Sequence, residues 1–165
     1  MPDGPAPPRA LGGAEIDPRE ALEIRSREAS SIDPREASRT GSTTLPRMDS
    51  GRLLREVIRY AADRKARDIV ELDMREVVGY TDWFLICSGN SDRQVKAIHD
   101  AILSGCKRDH GILPARVHGV SQAQWVLMDY LDVVVHIFTP EMRELYRLEQ
   151  LWGEAPAHPV TAPTR

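Results

Sequence analysis

Hydrophobic positions recur along this chain at two spacings, and the switches between them mark its elements. From Asp49 or Ser50 onward, Leu53, Leu54, Val57, Ile58, Ala61 and Ala62 fall at helical intervals, with Arg52, Arg55, Glu56, Arg59 and Asp63 opposite. A turn near Lys65-Ala66-Arg67 leads into a strand from Asp68 to Met74. Val70, Leu72 and Met74 take one face of it, and Ile69, Glu71 and Asp73 the other. Trp83 to Ser88 is continuously apolar, the signature of a strand buried on both faces. Gly89-Asn90 turns the chain into a second helix, where Ser91 and Gln94 have the spacing of a capping box. Val95, Ile98, Ile102 and Cys106 form its buried stripe, and His110-Gly111 ends it. Ala115 to Val120 reads as a third strand. The passage to it from the second strand has the length of a βαβ crossover, which suggests a parallel relation. Thr139-Pro140-Glu141 caps a third helix anchored by Leu145, Leu148 and Trp152 and stopped by Gly153.

Between the third strand and the third helix lies the most informative stretch, Trp125 to Phe138. Two runs rich in β-branched and aromatic residues flank a short break, the pattern of a hairpin. With Leu131 and Asp132 as the turn, Tyr130 pairs with Val133, Met128 with Val135, and Val126 with Ile137. Those six side chains form an apolar face that must be covered. The opposite face carries Trp125, Leu127, Asp129, Val134, His136 and Phe138. Its mixture of aromatic and ionisable groups is expected of a binding surface rather than a core. On that reading Trp125 and Asp129 can be replaced without loss of folding. The expected architecture is a mixed five-stranded α/β sheet flanked by helices.

Composition narrows the domain boundaries. All nine aromatic residues lie between Tyr60 and Trp152, and ten of the twelve prolines lie outside Met48 to Ala155. The expected division is a disordered extension over residues 1–47, a domain over 48–153 and a disordered tail over 154–165. Within the extension, Ile16-Asp17-Pro18-Arg19-Glu20-Ala21 recurs as Ile32-Asp33-Pro34-Arg35-Glu36-Ala37, too short and polar a repeat for a repeat fold. Its eight acidic residues argue against an organellar transit peptide, and it has no apolar signal core. A net charge of −3 is not the signature of a protein that grips nucleic acid electrostatically. No apolar run is long enough for a membrane span. Cys87 and Cys106 fall in apolar-periodic segments and read as buried, reduced thiols of a cytoplasmic protein.

The ionisable residues offer little chemistry. No His/Cys spacing supplies the three or four ligands a metal needs, so His136 is expected to be structural. Asp73 and Asp82, beside strand ends, are expected to cap turns. Ser88-Gly89-Asn90-Ser91 opens a helix after a strand, a place that can hold phosphate on free amides. Nucleotidyl transfer would also need an Asp-x-Asp pair for magnesium, and none follows that loop. No catalytic residue, metal or cofactor is therefore expected.

At this point a family resemblance emerges. The matching stretches are Asp68-Ile69-Val70-Glu71-Leu72-Asp73, Thr81-Asp82-Trp83-Phe84, Ser88 to Val95, Trp125 to Tyr130, Asp132 to His136, and Tyr146 to Gly153. Together and in order, they make the chain resemble the ribosomal silencing factors, the Iojap family, from Arg52 to Pro156. The resemblance implies a core similar to that of nucleotidyltransferases, used for binding rather than catalysis. It implies docking on the large ribosomal subunit through the universal ribosomal protein numbered fourteen, which blocks subunit joining and lowers translation when nutrients are short. The family's partner-contacting positions correspond to Trp125, Asp129 and Tyr130. Tyr130 falls on the apolar face in the register above, which conflicts with a contact role. The family usually has Gly where this chain has Leu131, and Leu does not readily take the positive φ that Gly tolerates. A homodimer is left open, and a nucleotide-handling enzyme on the same scaffold is the alternative reading.

Overall fold

The computed structural model describes residues 48–161, together with Glu20 and Glu23, which are helical. The rest of the expected disordered extension lies outside the described residues. The elements are α1 (Ser50–Asp63), β1 (Arg67–Asp73), β2 (Trp83–Ser88), α2 (Asp92–His110), β3 (Arg116–His118), β4 (Trp125–Asp129), β5 (Val133–Phe138), α3 (Pro140–Tyr146), α4 (Leu148–Leu151) and β6 (Ala157–Pro159).

The strands form one sheet of order β3-β4-β5-β2-β1-β6, so six strands replace the five expected. The added strand comes from the tail that composition marked as disordered. Ala157–Pro159 pairs antiparallel with Val70–Leu72 of β1, and the Val160 amide donates to the Ile69 carbonyl. Backbone hydrogen bonds, which composition does not register, hold it there. Among the described residues the one parallel pair is β2 with β5, from Trp83↔Val133 to Ser88↔Phe138. β2 and β3 do run in the same direction, as the crossover length suggested, but β4 and β5 lie between them.

Two helix signals in the sequence act as expected. The Ser91 hydroxyl accepts from the Gln94 amide, and Gly111 ends α2 at φ 65. The Gln94 side chain reaches back to the Asn90 amide and also donates to the Arg64 and Lys65 carbonyls, which ties the end of α1 to the start of α2. The third helix departs from its expected course. It breaks at Arg147, a left-handed residue with φ 45, into two short helices. Across the break the Arg143 guanidinium donates to Glu149 at 2.8 and 2.6 Å and to the Ser88 hydroxyl at 2.8 Å. Leu145, expected as an anchor of this helix, lies outside and is 62 % exposed, while Leu148 is buried.

The sheet has a hydrophobic layer on each face. α1 and α2 cover the first, packing Leu54, Val57, Ile98 and Ile102 over Leu85, Val126, Met128, Val133, Val135 and Ile137. On the second face Leu72, Phe84, Ile86, Trp125, Leu127, Val134 and Phe138 are buried with Leu148 and Ala155, and Tyr146 and Trp152 pack against them.

Candidate functional site: the β4–β5 hairpin

The hairpin adopts the register read from its alternation. Val126 pairs with Ile137 and Met128 with Val135, and the Tyr130 amide donates to the Val133 carbonyl at 2.9 Å. The turn is tighter than a two-residue loop alone requires. The Asp132 amide donates to the Tyr130 carbonyl at 3.0 Å, closing a three-residue turn around Leu131 at φ 72. A leucine in this region is strained, since its Cβ crowds the following carbonyl. The Asp129 carboxylate compensates by accepting from the Leu131 amide at 2.8 Å.

The mixed face is where expectation and structure part. Trp125 is 5 % exposed and Asp129 1 %, so neither projects into solvent as a surface anchor does. The face is a second core. Trp125 stacks on Phe138 at 4.9 Å and meets Tyr146 of α3 at 4.5 Å. Its indole N–H donates to Nδ1 of His136 at 3.2 Å, which assigns the ring proton of His136 to Nε2. His136 is fully buried, its ring 4.9 Å from that of Phe84, and burial pushes its pKa down to about 3. His136 can thus sit in a core because a neutral imidazole that accepts from an indole carries no charge to desolvate, although its buried Nε2 has no hydrogen-bond partner among the described residues. The buried Asp129 carboxylate accepts from the Leu131 amide. Replacing Trp125 without structural cost, as expected from the sequence, is ruled out by this packing.

Tyr130 lies on the first face, as the register required. Its hydroxyl is buried beside the Cys106 thiol, and burial raises its pKa well above the usual phenol value. Burial likewise pushes the thiols up, Cys87 to about 12 and Cys106 to about 11, which leaves both protonated and unreactive. Trp125, Asp129 and Tyr130 are therefore brought onto one hairpin but divided between its two faces and its turn.

Two exposed apolar residues mark this end of the sheet, and the periodicity did not single them out. Leu131 at the turn is 47 % exposed. Leu113 is 60 % exposed, two residues before Ala115, whose amide donates to the Asp129 carbonyl at 2.7 Å. Their only sequence signal is a leucine at a turn and another beside Pro114. Asp73 grips Arg75 through both carboxylate oxygens at 2.9 and 2.7 Å, and the guanidinium lies over the Trp83 ring at 4.9 Å. That Asp73 pairing lowers its pKa, chiefly through the Arg75 hydrogen bonds. At the start of α2 the amides of Gly89, Asn90, Arg93, Gln94 and Val95 are each taken by groups of the chain itself. Among the described residues no three His, Cys, Asp or Glu side chains cluster as metal ligands do. None of the described helices is long and apolar enough to cross a membrane.

Residues 47–165 match the family model described as ribosomal silencing factor during starvation. The chain belongs to the ribosomal silencing factor family. Membership implies ribosome-associated regulation of translation. The chain is 44 % identical over 110 residues to the ribosomal silencing factor of Halalkalibacterium halodurans, covering 66 % of this chain and 92 % of that one. A more distant relative is the mouse mitochondrial assembly of ribosomal large subunit protein 1, 33 % identical over 92 residues, 53 % of this chain and 39 % of that one. In three dimensions the chain is similar to a crystal structure from Chromobacterium violaceum, with TM-score 0.62 and 32 % identity, over 71 % of this chain and 98 % of that one.

Proposed function

We propose that this ribosomal silencing factor docks on the large ribosomal subunit and, by occupying the face that meets the small subunit, keeps the two from joining. Its partner there is the universal ribosomal protein numbered fourteen, contacted through the β4–β5 hairpin. Family membership and the large subunit named in the mouse relative support the subunit. The observation that carries the contact surface is the exposed apolar tip of the hairpin, Leu131, on a turn held by a buried carboxylate, with the exposed Leu113 two residues before the Ala115 that pairs with Asp129. Trp125, Asp129 and Tyr130 enter the contact mainly by shaping that surface. Asp129 holds the turn, Tyr130 seats it on the first core, and Trp125 seats its strand on the second. An anchor of this kind contributes most of its energy when desolvated at the centre of an interface.

The test is a binding titration with the isolated ribosomal protein, accompanied by co-sedimentation with large subunits. Leu131→Asp places a charge at the tip without touching either core. It should weaken binding by roughly thirty-fold, about 2 kcal/mol, and restore subunit joining. Unchanged affinity in a folded Leu131→Asp protein would move the contact surface elsewhere. Sedimentation with intact ribosomes in preference to free large subunits would overturn the anti-joining reading.

A further inference from the structure

A cavity of about 810 Å³ opens at the far end of the sheet from the hairpin turn, and the contacts proposed above make no use of it. It lies where the parallel strands β2 and β5 finish, the position at which open α/β sheets most often receive ligands. Arg67, Arg143 and Arg147 line it together with the carboxylates Asp68, Glu144 and Glu149, brought from the start of β1 and the two helices around the Arg147 break, beside the end of β2.

Three features set this cavity apart from a surface dent. The chain is strained on two sides of it: Asp68 has φ 49 within the bulge of β1, and Arg147 has φ 45 between two helices. Such residues persist only where the surroundings force them, and bulges commonly re-aim side chains at sites. Second, the cavity has a fixed floor. Arg143, with its side chain 15 % exposed, is held in place by Glu149 and by the buried Ser88 hydroxyl. Third, its cations are unequally engaged. Arg143 is held by Glu149 and Ser88, whereas Arg147 donates its Nε to the Glu144 carbonyl at 3.0 Å and has a loose surface ion pair with the Glu144 carboxylate at 3.7 Å, the kind worth little in water. Arg67 makes no ion pair with another described residue.

We propose that this cavity binds a small phosphate-bearing molecule, with Arg67 and Arg147 closing on the phosphate from opposite sides. Guanidinium forks match phosphate oxygens in geometry and charge. The start of α2 is not the anion holder, since its amides are already taken. Glu149 is taken up by Arg143, but Asp68 and Glu144 face the same cavity and repel a bare polyanion, while each can accept from a hydroxyl. That combination favours a phosphate ester carrying hydroxyl groups over inorganic phosphate. The site is separate from the hairpin, so it stands or falls independently of the ribosomal contact.

Calorimetric titration of the full chain with ADP and with inorganic pyrophosphate tests this. ADP should bind saturably with Kd below about 1 mM, and more tightly than pyrophosphate. Arg67→Gln and Arg147→Gly should each weaken ADP at least about tenfold. Glycine at 147 is at home at positive φ, so that variant keeps the backbone it replaces, with circular dichroism as the check. Asp68→Asn should improve pyrophosphate binding by removing the like charge. Arg55→Gln, on the exposed side of α1, should change nothing. Absence of saturable binding would overturn the proposal, and so would equal losses in the Arg67, Arg147 and Arg55 variants, which would mean only diffuse attraction. Displacement of ADP by polyuridine at equal phosphate concentration would also overturn it, by assigning the cavity to an RNA backbone.

Discussion

Each face of the sheet carries a buried core, yet the two are built on different rules. The first is covered by two long helices whose apolar stripes meet an apolar strand face, and its packing is mainly aliphatic, with Tyr60 and Tyr130 among the aliphatic side chains. The second is covered by two short helices separated by a left-handed residue. Its packing is aromatic, with an indole–imidazole hydrogen bond at the centre. Aliphatic surface is held by area alone. The second layer also depends on geometry and on the protonation state of one ring, which makes it the face that responds to conditions.

The sharpest way to break this comparison is Trp125→Ala. If the second face is a true core, the variant should lose about 4 kcal/mol of stability in denaturant unfolding, as large aromatic deletions do. A cost below about 1 kcal/mol would return Trp125 to the role of a surface group. Acid comes next. The folded-state pKa of His136, about 3, lies below the roughly 6.5 of an unfolded histidine, so the unfolded chain takes up the proton first as pH falls. The neutral ring's contribution is therefore intact above about pH 6.5 and is lost progressively towards pH 3, with about 2–3 kcal/mol gone by pH 4.5. Thermal melts at stepped pH should show this loss, and His136→Phe should flatten the profile in that window. Asp109, held below the usual carboxylate range chiefly by Arg108 and then by the Tyr60 hydroxyl, acts only at lower pH.

The first face can be challenged where its helices touch. A Cβ on Gly105 would lie 2.5 Å from the Tyr60 ring, so Gly105→Ala should cost about 1–2 kcal/mol net despite alanine's better helix propensity. Pairing it with Tyr60→Leu should recover part of that loss, and full additivity would mean the two residues do not meet. The smallest effect belongs to the junction of the faces. Leu131→Gly relieves positive-φ strain and should raise stability by about 0.5 kcal/mol, the gain reduced by glycine's freedom in the unfolded chain. A loss of stability instead would mean that the Leu131 side chain packs more than its exposure suggests.

Most of the first face was legible in the sequence because one-sided periodicity reports one-sided burial. Leu53, Val57 and Ile58 on α1, and Val126, Met128 and Val135 on the hairpin, all fell where alternation placed them. The second face was misread because the same alternation left Asp129 and His136 among its aromatics, and polarity was taken for exposure. Their partners, the Leu131 amide and the Trp125 indole, are invisible to a period count. The break at Arg147 was hidden for a related reason. No glycine or proline marks it, and the Arg143 contacts across it join residues up to 55 positions apart.

The short strand β6 also bears on how the molecule behaves in a crowd. Without it, β1 would present the alternating backbone of Ile69–Asp73 along an open edge, a template on which a second chain can extend the sheet. β6 closes that edge with three residues ending in Pro159, and a proline has no amide to offer the next strand. Sheet growth on this side therefore stops at Ala157-His158-Pro159. A chain shortened to residue 156 would keep the fully buried residues of both cores, giving up only the partly buried Val160 at the margin of the first, and would lose this stop, so its failure would be gradual self-association rather than unfolding.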